Sequence, residues 1–229
     1  MPEYSLVVPV YNEEESLDPL FHEIKAQMEG LKRSYEIIFV DDCSSDGSRS
    51  KMEGYKKQHP TLINIIGLPH RCGQTCALRK GLEAVRGTIA ITLDADLQND
   101  PADIPKLLKK MEEGYAMVCG WRKDRRDLTL KKSLSKFGNC LQRMFSGLRI
   151  HDVSCTLRAF KRECIPHIAL EWEGQHRFIP LSVSQKGYKV GEIVSHHRQR
   201  QYGYSKYNHK RIFKVAADFF KVLSNKRDI

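Results

Sequence analysis

The first half of the sequence alternates short runs of β-branched residues with stretches whose apolar residues recur at helical spacing. Leu17, Leu20, Phe21, Ile24 and Met28 form one such stripe, and a second follows residue 103. This alternation is typical of consecutive βαβ units and predicts an α/β fold with a mostly parallel sheet flanked by helices. The predicted strands are residues 5–10, 36–40, 63–68, 88–93 and 116–119.

The second half is more basic and less regular. We predict an amphipathic helix over 130–148, a strand at 157–160, a helix over 178–185, a strand at 188–194 and a final amphipathic helix over 211–223. No repeat or low-complexity linker interrupts the chain. We therefore expect a single domain over 1–229.

Composition narrows the classes of partner and compartment. The formal net charge is +10, which favours polyanions such as nucleic acid, anionic lipid or phosphorylated ligands. The seven cysteines and the lack of an apolar leader predict a reducing cytosol, with Cys72 and Cys76 as ordinary small buried residues. No stretch approaches the roughly 20 apolar residues that span a bilayer, so a membrane partner would be met at its surface.

Polar clusters follow three of the predicted strands. They are residues 9–13 after the first strand, 40–47 after the second and 94–98 after the fourth. Ligands of open α/β sheets bind beyond the carboxyl ends of the strands. We expect the three clusters to line one cleft.

Asp94 and Asp96 are the most informative pair. Two carboxylates one residue apart, just past a buried strand, suit a hard cation such as Mg²⁺ or Mn²⁺, and Gln98 can add an amide oxygen. The alternative is that these acids cap the helix that follows Pro101. The metal interpretation is favoured, because several acids at one cleft repel one another unless a cation offsets them.

Asp42 is assigned to the nucleoside. A carboxylate at a strand end is placed to accept hydrogen bonds from a base N–H or a ribose hydroxyl. Asp46 and Ser48, in contrast, have the residue types of a turn that leads into a helix.

Basic residues concentrate in the second half of the chain. The segment 200–207 combines tyrosines and a glycine with Arg200 and Lys206 at or near its ends. Such a segment is predicted to close as a lid over an anionic ligand.

The motifs, taken in order, resemble the inverting family 2 glycosyltransferases, and most closely the dolichol-phosphate mannosyltransferase and polyprenyl-phosphate glycosyltransferase branch. The resemblance runs from about Tyr4 nearly to the end of the chain. It implies a GT-A (Rossmann-like) fold with a C-terminal amphipathic helix, a nucleotide-sugar-binding half over 1–121 and an acceptor-side half over 122–229. The motifs that carry it are residues 9–13, 40–47, 94–98, 158–160, 176–180 and 203–207.

The resemblance also implies roles for single residues. Pro9, Tyr11, Glu13, Val40 and Asp42 would hold the nucleoside, and Asp94, Ala95, Asp96 and Gln98 the metal and diphosphate. Arg122, Arg200 and Lys206 would contact the donor phosphates, and Lys136 the acceptor phosphate. This chain departs from the usual pattern at two places. Family members usually have an Asn near position 72, where this chain has Cys72, and a Ser-Gly pair where this chain has Cys155-Thr156.

The function so implied is transfer of a mannose- or glucose-type hexose from a GDP- or UDP-sugar to a polyprenyl or dolichyl phosphate. Asp94, Asp96 and Lys136 would be catalytic and Mg²⁺ or Mn²⁺ the cofactor. A phosphomonoester is largely ionised near neutrality, because its second pKa is ~6, so the acceptor needs no general base. The protein would sit peripherally on the cytoplasmic membrane face, without nucleic acid, and with homo-oligomer formation left open.

Two alternatives remain at this stage. A glycosyltransferase acting on a saccharide or protein hydroxyl would need a base, for which Glu171 or Glu173 is available. A nucleic-acid-binding module is suggested by the charge and by Tyr202, Tyr204 and Tyr207 among cations, but it leaves the acids of the cleft unexplained.

Overall fold

A computed structural model of the protein describes residues 1–123, 148 and 150–202. The strands are β1 Tyr4–Val10, β2 Tyr35–Asp41, β3 Ile63–Gly67, β4 Ile89–Thr92, β5 Met117–Trp121, β6 Arg158–Lys161 and β7 Val190–Val194. The α-helices are α1 Glu14–Gly30, α2 Ser48–Gln58, α3 Gln74–Glu83, α4 Ile104–Met111 and α5 Ile179–Gln185. Short 3₁₀ turns cover Pro101–Asp103, Arg162–His167 and Gln175–Phe178.

The seven strands form one sheet in the order β3-β2-β1-β4-β6-β5-β7. β1 pairs in parallel with β2 and β4, β2 with β3, and β5 with β7. β6 alone among the described strands runs antiparallel to both of its neighbours. The predicted α/β fold with a mostly parallel sheet is confirmed.

Each central strand sends side chains to both faces of the sheet. Leu6 and Val8 of β1 pack in one apolar cluster, whereas Val7 between them packs in the other. This alternation follows from the twofold side-chain period of a strand, and it explains why the strands read as continuous β-branched runs.

The helices cover the two faces separately. The apolar sides of α1, α2 and α4 belong to one cluster, and those of α3 and α5 belong to the other. α3 lies very close to the sheet at Gly81, where a Cβ atom would come within 2.3 Å of Val7 Cγ1 and 3.0 Å of Val40 Cγ2. The start of α3 lies near the carboxyl ends of β2 and β4, where Gly73 donates to Asp42 and Gln74 donates to Asp94.

The sequence-based elements agree with the structure to within a few residues at their ends. The strand predicted at 188–194 begins at Val190, and the helix predicted over 178–185 is α5 preceded by a 3₁₀ turn. The predicted helices over 130–148 and 211–223 lie essentially outside the described residues. Within the described part, every helix is too short or too polar to cross a bilayer.

Candidate active site

Three polar segments share one edge of the sheet. β2, β1 and β4 are neighbours and parallel, so the loops that follow them meet at their carboxyl ends, as predicted. Each loop contains a residue other than glycine with a positive φ, namely Asn12 at 51°, Cys43 at 60° and Leu97 at 61°. Such conformations cost up to about 1–3 kcal/mol and concentrate at functional sites.

Asn12 ties the first two loops together. Its Oδ1 accepts a hydrogen bond from the Ser45 N–H at 2.8 Å, and its Nδ2 donates to Ser45 Oγ at 3.1 Å. Asp46 Oδ1 accepts from the Ser48 N–H at 3.0 Å, and Ser48 Oγ accepts from the Glu13 N–H at 2.9 Å. The turn role predicted for Asp46 and Ser48 is confirmed.

Asp42 anchors the segment that leads into α3. Its side chain is buried, and its two oxygens accept from the backbone N–H groups of Cys72 at 2.7 Å and Gly73 at 2.9 Å. Each carboxylate oxygen retains a further lone pair. A contact from Asp42 to the nucleoside therefore stays a prediction. Asp42 also has a structural role, because it holds the backbone that leads into α3.

The prediction that Cys72 and Cys76 are ordinary small buried residues is wrong. They form a disulfide, and both are partly exposed. Cys76 lies in the first turn of α3 and Cys72 just before it, so their Cα atoms are 5.8 Å apart, within the roughly 4.4–6.8 Å that a disulfide requires. The cysteine content therefore no longer supports a reducing compartment.

Asp94 is held from two directions. Its Oδ1 accepts from Gln74 Nε2 at 2.6 Å, and its Oδ2 accepts from Thr156 Oγ1 at 2.7 Å. Burial, and after it the charge of Asp96, raises the pKa of the Asp94 carboxyl to about 6. Two neighbouring acids in a poorly solvated place favour a cation between them.

Asp96 contacts a cation of the protein itself. Arg200 donates from Nη2 to Asp96 Oδ2 at 2.8 Å, and the same nitrogen lies 3.5 Å from Glu13 Oε1. The other carboxylate oxygen, Asp96 Oδ1, accepts from the Gln98 N–H at 3.1 Å. The guanidinium therefore lies against Asp96 Oδ2, one of the two carboxylate oxygens that a metal could bind.

Two further arginines bring positive charge close enough to act on Asp94. Arg122 follows β5 and forms a bidentate ion pair with Asp152, at 2.7 and 3.0 Å. Arg158 is fully buried in β6 and donates to the carbonyls of His176 and Val153. Both cations lower the pKa of Asp94, in opposition to the larger effects of burial and Asp96.

The other residues that the resemblance assigns to the nucleoside or the diphosphate differ in accessibility. Pro9 and Tyr11 are partly exposed, and the Arg71 guanidinium lies 4.1 Å from the centre of the Tyr11 ring. Val40 and Ala95 are buried, at 0% and 3% exposure. Their side chains belong to the core, so a ligand contact at either position would have to come from the main chain.

Glu173, a candidate base for a hydroxyl acceptor, binds the start of α3. Its Oε2 accepts from the Thr75 N–H at 3.0 Å. The buried His176 lies beside it, with Nδ1 2.6 Å from Thr75 Oγ1. Glu171 is exposed at the surface. The sequence did not indicate this structural role of Glu173.

The residues at the end of β4 fit a divalent cation completed by a substrate. The described residues contain no group of three or more His, Cys, Asp or Glu side chains that would hold a metal alone. Mg²⁺ is commonly bound through one or two carboxylates together with substrate phosphates. Asp94 and Asp96, with Gln98 in the same loop, match that donor set.

Two contacts to Asp94 were missed by sequence reasoning. Gln74 and Thr156 lie 20 and 62 residues away from it along the chain. Two features of the sequence could have indicated these contacts. Gln74 is a polar residue at the start of a helix, and Thr156 departs from the family pattern. Lys136, Lys206 and the tyrosines at 204 and 207 lie outside the described residues.

Comparison with known proteins gives one family. The profile of Glycosyl transferase family 2 matches residues 5–168. Dodecaprenyl-phosphate galacturonate synthase of Rhizobium johnstonii is 36% identical over 225 residues, which cover 96% of this chain and 66% of that protein. Undecaprenyl-phosphate 4-deoxy-4-formamido-L-arabinose transferase of Salmonella paratyphi A is 37% identical over 220 residues, covering 96% and 67%.

Solved structures share the fold at low sequence identity. Glucosyl-3-phosphoglycerate synthase from Mycobacterium tuberculosis, in complex with Mn²⁺, UDP and phosphoglyceric acid, superposes with a TM-score of 0.71 at 19% identity, over 100% of this chain and 79% of that one. A mannosyltransferase from Pyrobaculum calidifontis, in complex with GDP-Man and Mn²⁺, gives 0.63 at 20% identity, over 84% and 55%. These likenesses agree with the expected GT-A architecture.

Proposed function

The chain belongs to glycosyl transferase family 2, and on that premise we propose that it transfers a sugar from a nucleotide-sugar donor to the phosphate of a polyprenyl or dolichyl lipid. The names of its relatives at 36% and 37% identity contain dodecaprenyl and undecaprenyl phosphate, which supports this acceptor class. The chain spans about two thirds of the length of those relatives. That this chain has the activity of such a full-length relative is therefore part of the proposal.

One observation carries the proposal. Asp94 and Asp96 lie together at the end of β4, and Arg200 contacts Asp96 directly. An acidic pair suits a divalent cation, and an arginine suits phosphate oxygens. The two groups side by side match the chemistry of a metal-bound diphosphate.

The donor proposed from the resemblance carries GDP or UDP and a mannose- or glucose-type hexose. The relatives are named for galacturonate and for 4-deoxy-4-formamido-L-arabinose. A test of the donor therefore includes uronic acid and amino-sugar nucleotides beside the common hexoses.

The proposed mechanism relies on positioning and charge. Asp94, Asp96 and Gln98 would hold Mg²⁺ or Mn²⁺, which when bound neutralises charge on the leaving diphosphate. Arg200 and Lys206 would bind the donor phosphates together with Arg122, and Lys136 would hold the acceptor phosphate. Attack by this ionised phosphate from the face opposite to the leaving group inverts the anomeric carbon. No side chain has to remove a proton from the nucleophile, because the second pKa of a phosphomonoester is ~6.

The proposal includes a membrane surface. A polyprenyl phosphate stays in its bilayer, so the enzyme must approach it there. The net charge of +10 supports peripheral association with the anionic cytoplasmic face of a membrane.

Transfer to purified polyprenyl phosphate, assayed over a panel of nucleotide sugars with Mg²⁺ or Mn²⁺, tests the function. We expect Asp96→Ala to abolish transfer and to weaken binding of nucleoside diphosphate with metal, because it removes a metal ligand. Unchanged turnover of this variant would overturn the metal assignment. Transfer only to free saccharides would overturn the lipid-phosphate acceptor.

A further inference from the structure

Thr156 lies opposite the proposed metal ligand Asp94 because of the strand pairing. In the antiparallel pair of β4 and β6, Thr92 is the partner of Arg158. Continuing this register by two residues on each chain brings Thr156 opposite Asp94. Thr92 Oγ1 also donates to the Thr156 carbonyl at 2.7 Å, which fixes residue 156 beside the end of β4.

A third side chain, that of Asn99, also contacts the Thr156 hydroxyl. Asn99 donates from Nδ2 to Thr156 Oγ1 at 2.9 Å, and Thr156 Oγ1 lies 2.7 Å from Asp94 Oδ2. A threonine hydroxyl has a single proton to donate. An ionised carboxylate can only accept, so this proton is donated to Asp94, and Thr156 Oγ1 accepts from Asn99.

Asn99 is itself fixed in orientation. It is 4% exposed, and its backbone forms a bridge with His197. Its Oδ1 faces the Cys155 thiol, at 4.0 Å from Sγ, which is a weak donor. Because the single proton of the Thr156 hydroxyl is donated to Asp94, the Asn99 amide must present its NH₂ group, and not its oxygen, to Thr156 Oγ1.

We propose that Asn99 and Thr156 are positioning residues for Asp94, which fix the orientation of its carboxylate for the divalent cation and so set the affinity for metal and nucleotide. This inference rests on the proposed function. Gln74 holds the opposite oxygen of Asp94 at 2.6 Å, so the carboxylate is clamped from both sides and keeps lone pairs for the metal. Outer partners of this kind commonly alter metal affinity by about 10–100-fold when they are removed.

The test is Mn²⁺ binding, measured from the electron paramagnetic resonance signal of free Mn²⁺ in the presence of UDP, with a parallel series in GDP. Thr156→Val keeps the side-chain volume and removes the hydroxyl, and we expect about tenfold weaker Mn²⁺ binding. Thr156→Ser retains the hydroxyl and is expected to restore the affinity. A purely structural role would lower the melting temperature of Thr156→Val without changing its affinity for Mn²⁺.

A double-mutant cycle tests the link to Asn99. Asn99→Leu alone leaves the Thr156 hydroxyl without the amide that holds it in place and is expected to weaken Mn²⁺ binding. Added to Thr156→Val it should cause no further loss, because the hydroxyl through which it acts is absent. Additive losses would contradict the relay.

The matched control is Thr88→Val, which removes a hydroxyl that donates to the Glu3 carbonyl at 3.1 Å near the opposite end of β4. It should bind Mn²⁺ as the unaltered chain does. Melting temperatures identify any variant that fails to fold, in which case the serine and leucine variants decide. Equal affinity of Thr156→Val and the unaltered chain would overturn the inference alone. No Mn²⁺ binding by the unaltered chain with either nucleotide would overturn the proposed function as well.

Discussion

Arg200 and a divalent cation compete for the same carboxylate. The guanidinium donates to Asp96 Oδ2 at 2.8 Å and is only 21% exposed, so its positive charge opposes the binding of a divalent cation to the same carboxylate. We expect Arg200→Ala to strengthen Mn²⁺ binding in the absence of nucleotide, because the competing cation is gone. The same variant should bind nucleoside diphosphate with Mn²⁺ more weakly, because a phosphate contact is lost.

Titration of Mn²⁺ with and without nucleotide measures both effects. Arg33, which is 62% exposed between α1 and the start of β2, supplies a control in Arg33→Ala. A change in the same direction with and without nucleotide would contradict the exchange of one cation for another.

The clustering of the acids was predictable from the sequence, but their partners were not. Asp94 and Asp96 follow a buried strand, and the topology of a parallel sheet brings such strand ends together. The contacts of Asp94 with Gln74 and Thr156 depend on the register of β6 and on the close approach of α3. Neither produces a periodic signal in the sequence. The disulfide was missed because two cysteines four residues apart come close enough to bond only if the chain between them turns into a helix, as it does at Gln74.

At the scale of helices, two glycines inside helices are expected to respond in opposite ways to substitution by alanine. Gly81 of α3 faces the sheet, where an added Cβ would meet Val7 Cγ1 at 2.3 Å, whereas nothing lies within 4 Å of such an atom at Gly54 of α2. We expect Gly81→Ala to lower the free energy of unfolding by about 1–3 kcal/mol through overpacking. Gly54→Ala should raise it by about 0.5–1 kcal/mol through helix propensity.

Urea denaturation of both variants checks this pair. A stabilising Gly81→Ala would show that α3 can retreat from the sheet. In that case the start of the helix, with its contacts to Asp42 and Asp94, would be expected to shift, and nucleotide affinity should fall with it.

The strands were easier to predict than their order. Apolar runs identify β1 to β5 directly, and the central strands β1, β2 and β4 are buried on both faces. The position of β6 between β4 and β5 follows no local rule, since its residues pair with residues far away in the sequence. Arg158 pairs with Thr92, 66 residues before it, and Phe160 pairs with Met117, 43 residues before it. Only the completed sheet shows that this strand reaches the end of β4.

For the molecule as a whole, the net charge of +10 predicts salt-sensitive binding to anionic vesicles. Each Lys or Arg near such a surface contributes about 1 kcal/mol, and salt screens the attraction. We expect co-sedimentation with phosphatidylglycerol vesicles at low salt and its loss at high salt. Lys136→Ala should lower transfer to polyprenyl phosphate and leave nucleotide affinity nearly intact, whereas Lys57→Ala on the exposed end of α2 should change neither.

Failure to bind these vesicles at low salt, together with full activity of the Lys136 variant, would contradict approach to the acceptor through a basic surface. Binding that persists at high salt would instead indicate insertion of apolar side chains.

The exposed thiol of Cys43 provides a site for selective chemical labelling beside the cleft. Among the described residues it is the one exposed free cysteine, since Cys119, Cys155 and Cys164 are buried, and it directly follows Asp42. In a Cys140→Ser background, a maleimide fluorophore should therefore attach at Cys43 and report on occupancy of the nucleoside side of the cleft. UDP or GDP with Mn²⁺ is expected to slow the labelling, which stopped-flow fluorescence can follow; an unchanged rate would place the nucleoside away from the end of β2.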